Sequence, residues 1–95
     1  MKKISANILD GKFEHLVDED NLQITHLQIK KDDEIPSHKS DKSVVVVIYN
    51  GKVDFKGENG NQIIIPGDII TMDPNEIHAL KALEDSDLMV IKVKI

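Results

Sequence analysis

Four histidines are the side chains of this chain best suited to ligate a transition metal or to move a proton near neutral pH. There is no cysteine, which removes thiolate ligands, thiol nucleophiles and disulfides. Two of the histidines stand in ordered surroundings. His38 is followed by Ser40, Val44 and Gly51, and His78 is preceded by Asp73, Pro74, Asn75 and Glu76. His26 lies upstream in an apolar stretch. There, Leu22 and Ile24 keep one alternation phase, while Leu27 and Ile29 keep the other. Such a phase change marks either a bulge or a strand covered on both faces, and it leaves the direction of His26 open. Facing inward, His26, His38 and His78 would form a three-imidazole set, the ligand number of a catalytic zinc centre. His15 reads as a surface residue.

Other chemistry is thin. Tyr49 is the only phenol. It ends an apolar run beside a turn, a poor place for an acid-base partner. The acidic groups Asp18-Glu19-Asp20, Asp32-Asp33-Glu34 and Glu84-Asp85-Ser86-Asp87 lack the alternating ligands and closing glutamate of a calcium loop, so they read as solvated turns. Asp68, after Gly67, reads as a turn-former. Neither a Gly-x-Ser-x-Gly elbow nor a phosphate-binding loop occurs.

Elements that would position these residues are almost all strands. No window of helical length sustains a 3.6-residue period. Short β-rich runs cover 4–9, 13–17, 22–30, 43–49, 52–56, 62–65, 69–72, 77–83 and 88–95, separated by turn residues. Asn50-Gly51 is the preferred pair for a two-residue hairpin turn, so 43–49 and 52–56 are expected to pair. Gly57 to Gly60, Pro66-Gly67-Asp68, Asp73-Pro74-Asn75 and the stretch from Glu84 to Asp87 supply further turns. Short strands with tight turns at this density predict an all-β sandwich or barrel.

Alternation assigns faces. On 77–83, His78, Leu80 and Ala82 share a side opposite Lys81, so His78 is expected to point inward. On 88–95, Met89, Ile91, Val93 and Ile95 lie opposite Lys92 and Lys94, which predicts the lysines outside. The run 43–49 is apolar on both sides: Val44, Val46 and Ile48 on one, Val45, Val47 and Tyr49 on the other. A two-layer barrel covers one face of a strand, and a second copy in a symmetric homodimer is the simplest cover for the other, the alternative being that the N-terminal strands fold over it.

The chain has 95 residues, enough for one domain over 1–95. Hydrophobic residues are 40% and charged residues 31%, ordinary for a globular chain. A net charge of -5, with all twelve basic residues lysine, argues against a nucleic-acid partner and removes the bidentate arginine fork. The N-terminal stretch meets Asp10 before a signal-peptide core develops, and no apolar run is long enough to span a membrane. A cytoplasmic protein without a membrane partner is expected.

Taken together, the two histidine segments resemble the paired motifs of the cupin family, small jelly-roll β-barrels with a pocket in the barrel. The resemblance covers about 22–95. It leaves 1–21 as N-terminal strands that help form the dimer. In the first motif His38 matches the leading histidine, Ser40 replaces the second histidine, Val44 replaces the glutamate and Gly51 matches the closing glycine. In the second, Gly60 opens the motif if spacing is relaxed. Asp73 and Asn75 stand for Pro and Gly, His78 matches the histidine and Ala82 replaces the asparagine. The tail from His78 to Ser86 is similar to short single-domain bacterial cupins.

In enzyme cupins the motif residues bind iron, manganese, nickel or zinc. The resemblance carries over only His38 and His78 as ligands, and His26 is the candidate third ligand. The expectation is therefore a cupin that binds a small molecule through His38, Ser40, Val44, Met72, His78 and Leu80, with Val46 and Met89 also lining the pocket. One alternative is a metal-dependent enzyme acting on a small organic acid or sugar through one divalent transition metal (Zn, Fe, Ni or Mn). The other is a dimeric structural or regulatory module with a filled interior.

Overall fold

The structure is a computed structural model, described here for residues 1–7 and 12–94. Nine strands and no helix make up the described residues. They are β1 (Phe13–Asp18), β2 (Leu22–Ile29), β3 (Glu34–His38), β4 (Ser43–Asn50), β5 (Val53–Gly57), β6 (Gly60–Ile64), β7 (Ile69–Met72), β8 (His78–Ala82) and β9 (Ser86–Val93). A five-stranded sheet runs β1-β2-β9-β4-β7, and a four-stranded sheet runs β3-β8-β5-β6. All pairings are antiparallel. The expected all-β jelly-roll barrel is what forms.

The core lies between the sheets. Val44, Val46 and Ile48 of β4 and Leu88 of β9 meet Val53 and Phe55 of β5 and Leu80 and Ala82 of β8, all buried. These positions are every second residue on their strands, as pleating requires. His78, Leu80 and Ala82 face inward as alternation predicted.

Several expectations need correction. Ser43–Asn50 and Val53–Gly57 do not form a hairpin. β4 pairs with β7 and β9, whereas β5 pairs with β6 and β8. Asn50-Gly51 is instead a corner between sheets. Gly51 sits at φ +92, where a Cβ would run into the Ser86 side chain and the Asp85 carbonyl. The strand expected over 4–9 is absent over residues 4–7, and residues 8–9 lie outside those described. β3 was not anticipated, because Pro36 and a mostly polar sequence hide it. It is an edge strand, which tolerates both.

The phase of β9 is also reversed. Ser86 and Leu88 are buried, and Val90 packs on the core, so Met89, Ile91 and Val93 face outward. Both sides of this strand are apolar, and the lysines misdirected the reading. Lys92 pairs with Val44, which is 3% exposed, and so points into the barrel. In β2 there is no bulge, since Leu22 to Ile29 pair without interruption with β9. The register shift lies in β1, between His15 and Val17.

Candidate functional site

The barrel interior holds a cavity of ≈ 70 Å³ at the end where β3 and β8 meet β4 and β9. Its polar lining is His38, Ser40, His78 and Lys92, and its apolar wall includes Val44 and Leu80. His38 and His78 are directly paired across β3 and β8, with ring centroids 4.1 Å apart at an interplanar angle of 62°. Phe55 also stacks on the His78 ring, centroids 5.7 Å apart at 9°, so His78 contacts two rings.

Local backbone bonds orient both imidazoles. His38 Nδ1–H donates to the Pro36 carbonyl at 2.8 Å, and His78 Nδ1–H donates to the Glu76 carbonyl at 3.2 Å. A carbonyl only accepts, so the proton is on Nδ1, and Nε2 is the acceptor of each neutral ring. Burial pushes the His78 pKa below its ordinary value, with the Glu76 carbonyl working against this and the neighbouring His38 and Lys92 adding to it. His78 is therefore neutral at pH 7. Ser40 Oγ accepts the Lys42 amide at 3.2 Å, which leaves its hydroxyl proton available.

Most of the residues singled out from the motifs converge here. His38, Ser40, Val44, Val46, His78 and Leu80 line one cavity. Met72 does not. It is a core residue, 5% exposed, and borders a separate, more open depression with Gly57, Gly60 and Gln62. Met89 is on the outer face. Lys92 was missed because Met89, Ile91 and Val93 made a tidy apolar face opposite it. The usable signal was that Leu88 and Val90 make an equally apolar face in phase with Lys92.

His26 belongs elsewhere. It pairs with Met89 and Glu14, so it projects from the outer face of the five-stranded sheet, away from His38 and His78. It is nevertheless 1% exposed. Its Nδ1–H donates to Glu14 at 2.9 Å and its Nε2–H to Asp87 at 2.8 Å. Asp87 also accepts from Gln28 at 3.2 Å and Asn50 at 3.0 Å. Burial opposes charge on His26, but the two carboxylates outweigh it and raise its pKa. The His26 bond holds Glu14 below its usual range, with help from Asn7. Burial works against charge on Asp87, yet Asn50 and His26 hold its pKa down.

A catalytic transition metal does not fit this cavity. Such sites keep about three protein ligands. Here two imidazoles stand with a hydroxyl, a valine at the carboxylate position and a lysine ammonium facing in. Among the described residues no group of three or more histidine and carboxylate side chains is arranged to hold an ion. The three-histidine set of His26, His38 and His78 is not assembled. Ser86 and Asp87, read as part of a solvated turn, are instead the start of β9, with Ser86 buried and Asp87 bonded to His26. His15 is exposed and bonds Thr25 at 3.0 Å, and the Asp68 carboxylate accepts the Ile65 amide at 2.9 Å within its turn.

Comparison with known proteins agrees with the barrel. The family model described as the AraC-like ligand binding domain matches residues 22–94. A conserved protein of unknown function from Streptococcus pyogenes superposes with a TM-score of 0.82 at 25% identity, covering 100% of this chain and 96% of that one. An RmlC-like cupin from Desulfovibrio desulfuricans gives 0.86 at 18% identity, covering 98% and 96%. A cupin superfamily protein from Desulfitobacterium hafniense gives 0.85 at 15%, covering 97% and 84%. No curated protein sequence matches the chain.

Proposed function

The chain belongs to the AraC-like ligand-binding domain family, and on that premise we propose that it binds a small molecule inside its barrel without metal chemistry. The observation that supports this most is the pairing of His38 and His78 at the cavity, with both Nδ1 atoms spent on backbone carbonyls and both Nε2 atoms left as acceptors. A small apolar cavity with a few convergent polar groups is the usual form of a ligand site. The volume restricts the occupant. Drug-sized ligands need roughly 300–1,000 Å³, whereas this cavity offers ≈ 70 Å³, so the ligand has only a handful of heavy atoms. A fragment screen by NMR against the wild type, His38→Ala and His78→Ala tests the reading. Hits are expected to weaken about tenfold in His78→Ala, as loss of a buried hydrogen bond implies, and less in His38→Ala, because His38 is exposed at the cavity mouth. Unchanged affinity in both variants would refute it.

The same proposal gives the protein a second copy of itself as partner. The outer face of the five-stranded sheet carries Val45, Val47, Tyr49, Ile69, Ile91 and Val93. Tyr49 is 45% exposed and Ile69 59%. Residues 1–7 are exposed and form no strand over this face. Isologous packing of two such faces is the economical cover for a β-branched sheet surface.

A further inference from the structure

Lys92 brings a lysine ammonium to the cavity, which otherwise offers imidazoles, a hydroxyl and apolar walls. It projects between the sheets opposite buried Val44. It lines the histidine cavity, and among the described residues neither a carboxylate nor a hydrogen-bond acceptor engages its ammonium. Lys92 is only part-buried, and its ammonium is not among the buried groups left without a partner, so it keeps contact with water while its stem runs into the cavity. Here the register of β9 between β2 and β4 turns the side chain inward. Lys92 disfavours a proton on His78, and no acidic residue lines the cavity.

Resting on the proposed ligand-binding role, we infer that the occupant is a short-chain 2-hydroxy carboxylate. Its carboxylate accepts from the Lys92 ammonium and from the free Ser40 hydroxyl proton. Its hydroxyl donates to Nε2 of His38 or His78, the two acceptors that the Nδ1 bonds leave uncommitted. The carbon between them meets Val44 and Leu80. Size agrees, because a cavity of ≈ 70 Å³, against roughly 10–15 Å³ for one water, admits glycolate or lactate and excludes a hexose. A simple carboxylate would leave the histidine acceptors unmatched, and a diol would leave Lys92 unmatched.

The test is an amide-shift titration of the isotope-labelled protein with lactate, propionate and 1,2-propanediol, repeated on Lys92→Met and Lys92→Arg. Lactate is expected to bind tightest, with shifts at Val44, His78 and Leu80. Lys92→Met should weaken lactate at least tenfold, the loss of one charge-assisted bond, and leave propanediol unchanged, while Lys92→Arg keeps most lactate affinity. Thermal unfolding of both variants confirms that they are folded. Equal lactate affinity in the wild type and Lys92→Met would overturn the carboxylate assignment and leave the cavity reading standing. Propionate or propanediol binding as well as lactate would overturn the hydroxy-acid assignment in the same way. Absence of shifts at the cavity with all three compounds would overturn the ligand class. The cavity reading itself would fall only if the fragment screen also found no hit sensitive to His38→Ala or His78→Ala.

Discussion

His38 on β3 and His78 on β8 are paired residues whose rings meet edge to face, centroids 4.1 Å apart. Each ring is fixed by a bond to the carbonyl two residues before it, Pro36 for one and Glu76 for the other. The orientation of the pair is therefore built into the backbone of two adjacent strands and needs no metal to set it. This is the physical basis for regarding the pair as ligand acceptors.

The two buried histidines should give stability opposite pH dependences. The folded pKa of His26 is raised, so its contribution is complete below about pH 6.5 and is lost as pH rises through the folded value. Glu14 and Asp87 have lowered values, so their contributions are present above about pH 4.5 and are lost as pH falls through the folded values. The His26 cluster thus favours the fold most between about pH 4.5 and 6.5. Thermal unfolding of the wild type and His26→Gln should show a gap that narrows as pH rises past this window. A gap that stays constant to alkaline pH would contradict the ion cluster.

His78 acts in the other direction. Its folded pKa is depressed, so the unfolded chain takes up the proton first and stability falls as pH drops below about 6.5. His78→Gln should therefore gain stability relative to the wild type on acidification. Parallel pH profiles for the two proteins would contradict a neutral, buried His78.

Lys92→Met should change the stability of the ligand-free protein by less than about 0.5 kcal/mol, because Lys92 is part-buried and its ammonium is not among the buried groups left without a partner. Thermal unfolding checks this, and a large fall in Tm would mean that the ammonium has a stabilising partner.

The corner at Gly51 should tolerate no side chain. Gly51→Ala combines a left-handed backbone at φ +92 with collision against Ser86, and an order-of-magnitude loss of about 3 kcal/mol is expected. Ser86 Oγ accepts the Lys52 amide at 3.0 Å and donates to the Glu84 carbonyl at 2.7 Å. Ser86→Ala should therefore cost about 1–3 kcal/mol by leaving buried groups unpaired. Chemical denaturation measures both, and a neutral Gly51→Ala would contradict the corner.

Val47→Lys should convert a dimer to a monomer, measured by sedimentation equilibrium, since Val47 lies on the outer face between Val45 and Tyr49. A wild type that is already monomeric would contradict the second-copy proposal.

Much of this was legible from residues alone. Glycines, turn residues and β-branched runs marked eight of the nine strands, and the alternation of β8 placed His78, Leu80 and Ala82 correctly. What escaped depended on tertiary context. β3 is an edge strand whose proline and polar residues need no ladder on one side. Asn50-Gly51 obeys hairpin chemistry locally, but the sheet-to-sheet corner at Ser86 overrides it. Period-two alternation cannot choose a face when both are apolar, and on β9 that ambiguity hid Lys92. The same ambiguity on β2 left His26 undirected until Glu14 and Asp87 were seen to hold it outside.

The most direct test of the account is to locate bound small molecules by methyl and histidine-ring NMR, using the wild-type protein and the fragment hits. Shifts concentrated on Val44, Val46, Leu80 and the His78 ring are the predicted result. Shifts confined to the depression beside Met72 and Gly57, or to the outer face around Val45 and Ile91, would contradict a ligand site inside the barrel.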